Sequence, residues 1–139
     1  MKKPILLLIG LFLLLLTACA PSEKDSEKGE AKIVDNLKIA FTSAKKLNSD
    51  DGDIIQLNFT VENITADTRG FDSSVFLAEN VESESLKIAP KENFSTDLEP
   101  GEEIAGSIYY YLEGTTPITM TYDDSDSQEK ESWIVVMEE

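Results

Sequence analysis

Histidine is absent from this chain of 139 residues, cysteine occurs once, at Cys19, and arginine once, at Arg69. Without histidine there is no Ser-His-Asp triad and no imidazole-ligated metal. A lone cysteine has no intrachain disulfide partner and cannot build a thiolate zinc site. One arginine leaves no bidentate phosphate clamp, and no glycine-rich phosphate loop accompanies it. Cations are scarce altogether: 12 Lys and Arg face 27 Asp and Glu, for a net charge of −15. That balance argues against nucleic acid as a partner. It also repels anionic headgroups and wall polymers, and reads first as solubility at a crowded surface. A carboxylate pair is the one catalytic device that composition leaves open. No cleft is expected in so small a domain, so neither enzymatic activity nor a cofactor is expected.

What is present begins with an export signal. Lys2 and Lys3 precede an uncharged run, and its apolar part, residues 5–16, is 12 residues long. A spanning helix needs about 20 residues for a hydrocarbon core of roughly 30 Å, so this run suits a secretion signal better than a permanent span. The lysines hold the N-terminus on the cytoplasmic side, and the polypeptide C-terminal to the apolar run is translocated. Leu16-Thr17-Ala18-Cys19 resembles the lipobox of bacterial lipoproteins. That resemblance implies a diacylglyceryl group on the Cys19 sulfur and cleavage between Ala18 and Cys19, giving a lipid-anchored protein on the extracytoplasmic face of the cell membrane. Two acyl chains make a stable anchor where one is marginal.

Residues 20–31 contain no large apolar side chain and are expected to form a flexible tether, with a root-mean-square reach of roughly 20 Å. The expected division is therefore signal peptide 1–18, lipidated cysteine and tether 19–31, and one folded domain 32–139. Lysine outnumbers arginine eleven to one, which hints at a Gram-positive host.

The domain reads as β. Ile55, Leu57, Phe59 and Val61 alternate with Gln56, Asn58, Thr60 and Glu62, a period of two that places the apolar set on one face. Ile104, Ile108, Tyr110 and Leu112 repeat the pattern, as do Ile118, Met120 and Tyr122, then Trp133, Val135 and Met137, with Ile33, Leu37, Ile39 and Phe41 near the start. Turn-rich segments at 48–53, 99–102, 113–117 and 123–127 separate the runs. About seven short strands, and at most one helix, predict an all-β domain: an immunoglobulin-like antiparallel β-sandwich without its disulfide. Trp133, Phe59, Phe71, Phe76 and Tyr110 are its expected core.

The stretches Phe59-Thr60-Val61-Glu62-Asn63, residues 71–77, Leu98-Glu99-Pro100-Gly101-Glu102 leading into Gly106-Ser107-Ile108-Tyr109-Tyr110, and Ile118-Thr119-Met120-Thr121-Tyr122 resemble a bacterial lipoprotein domain family of unknown function. It is often mislabelled as a telomeric repeat-binding factor, and its fold is similar to that of a secreted mycobacterial immunoprotective antigen. Where that family has Asp and Gly ahead of an aromatic, residues 79–86 here are acidic and lack both, which predicts a longer or partly open hairpin. Asn63, after a buried strand, is expected to satisfy its own turn backbone.

Three clusters remain. Asp50, Asp51 and Asp53 share one loop, and Asp123, Asp124 and Asp126 another; clustered oxygens suit Ca²⁺, but neither loop has EF-hand spacing, and both read first as solvated hairpin loops unless the fold brings them to one end. In Tyr109-Tyr110-Tyr111, strand alternation turns Tyr110 inward and Tyr109 and Tyr111 outward, as a binding surface or as packing against residues 79–97. Asn58, Asn63 and Asn93 head Asn-x-Ser/Thr triplets that a bacterial lipoprotein would not normally use. The leading expectation is a non-enzymatic module at the cell envelope that binds a protein or ligand. The alternatives are Ca²⁺ or small-ligand binding through the acidic loops, and a cleaved signal peptide acting as a pheromone.

Overall fold

A computed structural model describes residues 29–91, 94–114 and 116–137. Nine strands are present among them, in order β1 (Ala31–Val34), β2 (Leu37–Leu47), β3 (Ile54–Asn63), β4 (Arg69–Asp72), β5 (Phe76–Glu79), β6 (Ser95–Leu98), β7 (Glu103–Tyr111), β8 (Ile118–Asp123) and β9 (Lys130–Val135). The described residues hold no helix beyond one 3₁₀ turn, Ser73–Val75. Every pairing between strands is antiparallel. A four-stranded sheet runs β1-β2-β3-β7, a three-stranded sheet runs β5-β8-β9, and β4-β6 forms a two-stranded ribbon.

The two larger sheets close over one core, as their alternation demands. Ile55, Leu57, Phe59 and Val61 of β3 are each 0% exposed, while the residues between them are half-buried on the other face. Phe41 of β2 meets Phe76 of β5 and Trp133 of β9 edge-on, with ring centroids 5.1 and 5.4 Å apart. Phe59 reaches Phe76 at 5.5 Å and Phe71 at 5.8 Å. All five expected core aromatics are buried. The architecture is the immunoglobulin-like antiparallel sandwich the periodicity predicts.

Three local expectations need correcting. Residues 33–41 are two strands, not one: Asp35 and Asn36 take φ of 51° and 59° between Val34 and its partner Leu37, the left-handed pair of a tight two-residue hairpin. Ile33 therefore leaves the core face and is 61% exposed. Second, β2 continues to Leu47, because a bulge at Thr42 shifts the register and puts Ala44 back in the core. That extra residue breaks the two-residue period, which is why 42–47 does not read as a strand. Third, the hairpin after β5 is closed. Buried Asn80 accepts from the backbone N–H groups of Glu82 and Glu84, and the Leu86 N–H donates to the Ala78 carbonyl at 2.8 Å.

Strand β1 begins at Ala31, paired with Ala40.

Candidate binding surface

Strand β7 sorts its three tyrosines as alternation requires. Tyr110 is 1% exposed and donates its hydroxyl to the Phe76 carbonyl. Burial pushes that phenol above its ordinary pKa. Tyr109 and Tyr111 are half-buried on the outer face, and neither hydroxyl has a hydrogen-bond partner among the described residues. The strand is held from both sides. Along one edge it pairs with β3, Gln56 opposite Tyr109 and Ile54 opposite Tyr111. Along the other, the Ala89 N–H donates to the Tyr109 carbonyl at 2.9 Å and the Tyr111 N–H to the Lys87 carbonyl at 2.8 Å. Thus the 79–97 segment packs on the backbone of β7 and leaves the two rings at the surface.

Beside the tyrosines lies an amide and hydroxyl ladder across β2, β3 and β7. The Asn58 amide donates to the Ser43 hydroxyl at 2.7 Å. Its carbonyl oxygen accepts from Ser107 at 2.6 Å and from Gln56 at 2.9 Å. The sequence marks Gln56 and Asn58 only as outward positions of β3; their joining to Ser43 and Ser107 depends on the bulge at Thr42 and on strand order. The Asn-x-Thr triplet at Asn58 is thereby part of this ladder, that at Asn63 is buried with its residue, and Asn93 lies outside the described residues.

At the other end of the sandwich an open cavity of about 390 Å³ is lined by Leu37, Arg69, Phe71, Val75, Tyr122 and Asp124, among others. Arg69 donates to the Asp35 carbonyl and, at 3.0 Å, to its carboxylate. The Tyr122 hydroxyl donates to the same carboxylate oxygen at 3.1 Å. Burial, and then the negative charge of Asp35, push the Tyr122 phenol up. Asp72, on the rim, is held below the usual carboxylate range by the Ser74 N–H. These charges are spent on one another, so the cluster reads as a pin between the β1–β2 turn, β4 and β8. Sequence reasoning did not single out this pin; the uniqueness of Arg69 in so acidic a chain was the available signal.

The two acidic loops fall at opposite ends. Asp51 and Asp53 line a hollow of about 300 Å³ with Lys87 and Tyr111, whereas Asp124 lines the Arg69 cavity. Asp53 pairs with Lys46 at 2.6 Å and Asp123 with Lys130 at 2.8 Å. Among the described residues no group of three or more acids could hold a metal ion. The condition under which Asp50, Asp51, Asp53, Asp123, Asp124 and Asp126 would form one calcium site is not met. Ala18 and Cys19 lie outside the described residues.

No family model and no curated protein matches the chain. Solved structures do resemble it. The yjhA protein of Bacillus subtilis superposes with a TM-score of 0.61 at 15% identity, over 80% of this chain and 98% of its own. The ycdA protein of the same species, a candidate lipoprotein, gives 0.65 at 13% identity over 78% of this chain but only 39% of its own. MPT63, a secreted protein of Mycobacterium tuberculosis, gives 0.62 at 15% identity over 77% of this chain and 94% of its own. At these identities the likeness establishes the fold, and the secreted mycobacterial protein has the fold that the sequence resemblance implied.

Proposed function

We propose that this chain is a lipid-tethered, extracytoplasmic binding module without enzymatic activity, anchored through acylated Cys19 and meeting its ligand on the outer face of the β1-β2-β3-β7 sheet. The observation that carries the binding half is the division within β7: Tyr110 is locked in the core while Tyr109 and Tyr111 stand outside with hydroxyls unpartnered among the described residues. Tyrosine on a rigid strand offers contact area at little entropic cost. The export half is supported by the Leu16-Thr17-Ala18-Cys19 sequence and by the shared fold of a secreted protein and a candidate lipoprotein.

Two measurements test the reading. Intact mass of the membrane-fraction protein is expected to begin at Cys19 with a diacylglyceryl increment, absent in Cys19→Ala together with membrane association. A mass that retains residues 1–18 overturns the anchor. Tyrosine nitration mapped by mass spectrometry tests the face: Tyr109 and Tyr111 react in the purified protein and are protected in native envelopes. Equal reactivity in both overturns it.

A further inference from the structure

The rows of the outer face that run across β2, β3 and β7, from Leu47–Ile54–Tyr111 at one end to Ala40–Thr60–Ala105 at the other, contain no carboxylate. In a chain with 27 acids that is a conspicuous gap. The rows cover about 20 Å along the strands and about 10 Å across them, from the rise and spacing of a β-sheet. We propose that this face recognises a neutral oligosaccharide, an inference that rests on the binding reading above and names its ligand class.

The polar groups suit a polyhydroxylated ligand because they are held in place yet not exhausted. Asn58 uses one amide N–H on Ser43 and its oxygen on Ser107 and Gln56, which leaves it a second N–H. Gln56 spends its NH₂ on Asn58 and Ser107, and its carbonyl oxygen has no protein donor among the described residues. Ser43 accepts from Asn58 and keeps its hydroxyl proton to give. Tyr109, directly opposite Gln56, adds an aromatic face for the apolar side of a sugar ring and a hydroxyl for its edge. Donors, acceptors and a flat ring on one rigid surface meet a molecule that has all three complements in every unit.

Other ligand classes fit less well. A cation finds no carboxylate on these rows and meets the ammonium of Lys45, which stands opposite Gln56; an anionic polymer has that single cation to meet against the field of a domain whose net charge is −15. A protein interface has an apolar centre, but the exposed large apolar side chains, such as Ile33, Leu77, Ile88 and Ile134, lie off these rows.

The test is calorimetric titration of the acylated full chain in phospholipid nanodiscs with chitohexaose and cellohexaose, which are neutral, and with a hexagalacturonate, which is anionic. At least one neutral sugar is expected to bind saturably, the anionic one not at all. Tyr109→Ser and Asn58→Ser, each checked for an unchanged circular dichroism spectrum, are expected to weaken binding at least tenfold. Tyr122→Phe, at the far end, is expected to leave it unchanged. Neutral-sugar binding that survives both face variants, or stronger binding of the anionic sugar, overturns the inference. No binding of either neutral sugar overturns it too, and tyrosine protection in native envelopes then shows whether the face itself still has a ligand.

Discussion

The hydroxyl of Tyr110 in β7 donates to the carbonyl of Phe76 in β5 at 3.0 Å, joining the two sheets inside the core. The phenol must stay protonated to make that bond, and burial raises its pKa above the ordinary 10.0. An unfolded chain releases the proton near the ordinary value, so above it the unfolded state binds fewer protons than the folded one. Stability is therefore intact at lower pH and falls as pH climbs past about 10, by about 1.4 kcal/mol per unit for this group. Tyr122, shifted the same way, steepens the fall. Tyr110→Phe is expected to cost about 1–2 kcal/mol of stability at neutral pH for an orphaned buried carbonyl, read as a lower urea midpoint. The same variant is expected to show a shallower alkaline decline, read by urea titrations across that range.

Gly106 in β7 has no room for a side chain. A Cβ there would stand 2.8 Å from the Phe59 Cζ and 2.8 Å from the Phe94 Cγ. Both rings are packed, Phe59 against Phe41, Phe71 and Phe76, so they cannot simply yield. Overpacking of this kind costs about 1–3 kcal/mol. Gly106→Ala is expected to lose that much in a denaturant titration with an unchanged slope; an unchanged midpoint would mean that Phe94 swings clear.

Asn63 is fully buried at the end of β3 and ties down the segment after it. Its amide donates to the Asp67 carbonyl at 2.7 Å and the Leu98 carbonyl at 3.0 Å. Its oxygen accepts from the Thr65 N–H at 2.9 Å and hydroxyl at 2.7 Å. Asn63→Asp keeps the acceptor and loses both donations while burying a charge. Asn63→Leu loses everything, with about 2–4 kcal/mol expected from several orphaned groups. Denaturant midpoints of the two variants check this: the aspartate form is expected to be the less stable at neutral pH, where a buried carboxylate faces two carbonyl oxygens, and to recover part of the loss in acid, where the carboxyl is protonated and can donate again.

Period-two alternation exposed the sandwich because Ile55, Leu57, Phe59 and Val61 each obey it without interruption. It also sorted Tyr109, Tyr110 and Tyr111 correctly, since one strand's alternation needs no knowledge of its neighbours. What alternation could not reveal depends on irregularity or on long-range pairing. The bulge at Thr42 hid the second half of β2, and two left-handed residues at Asp35 and Asn36 hid a hairpin. The ladder of Ser43, Asn58 and Ser107 joins residues 15 and 49 positions apart, a link that only strand order creates. The Asp35–Arg69–Tyr122 pin joins residues 34 and 87 apart for the same reason.

Within that pin, Arg69 reaches the carbonyl and the carboxylate of Asp35 from two different nitrogens, a fork that a planar guanidinium holds ready and an ammonium, with one nitrogen, does not reproduce. Arg69→Lys keeps the charge and loses the fork, and is expected to cost about 1–2 kcal/mol, in the range for charge-assisted hydrogen bonds. Since the pair is partly open to solvent, part of that loss is expected to be screened in high salt. A thermal melt of wild type and variant in low and high salt reads both effects; equal melting in low salt would make the pair incidental.

Calcium separates loop chemistry from loop charge. Asp53 already faces Lys46, Asp123 faces Lys130, and one Asp124 oxygen accepts from the Asp126 backbone, so a cation entering either loop competes with a partner at one of its aspartates. Extracellular calcium modules work with dissociation constants of about 0.1–1 mM. A site at the weak end of that range would add about 1.4 kcal/mol at about 10 mM calcium. For a domain of this size that is a rise in melting temperature of at least about 5 °C. The expected outcome is no rise beyond that seen with an equal ionic strength of sodium chloride. A calcium-specific rise, abolished by Asp51→Asn or by Asp124→Asn, would identify which single loop binds and would show that one end of the sandwich suffices.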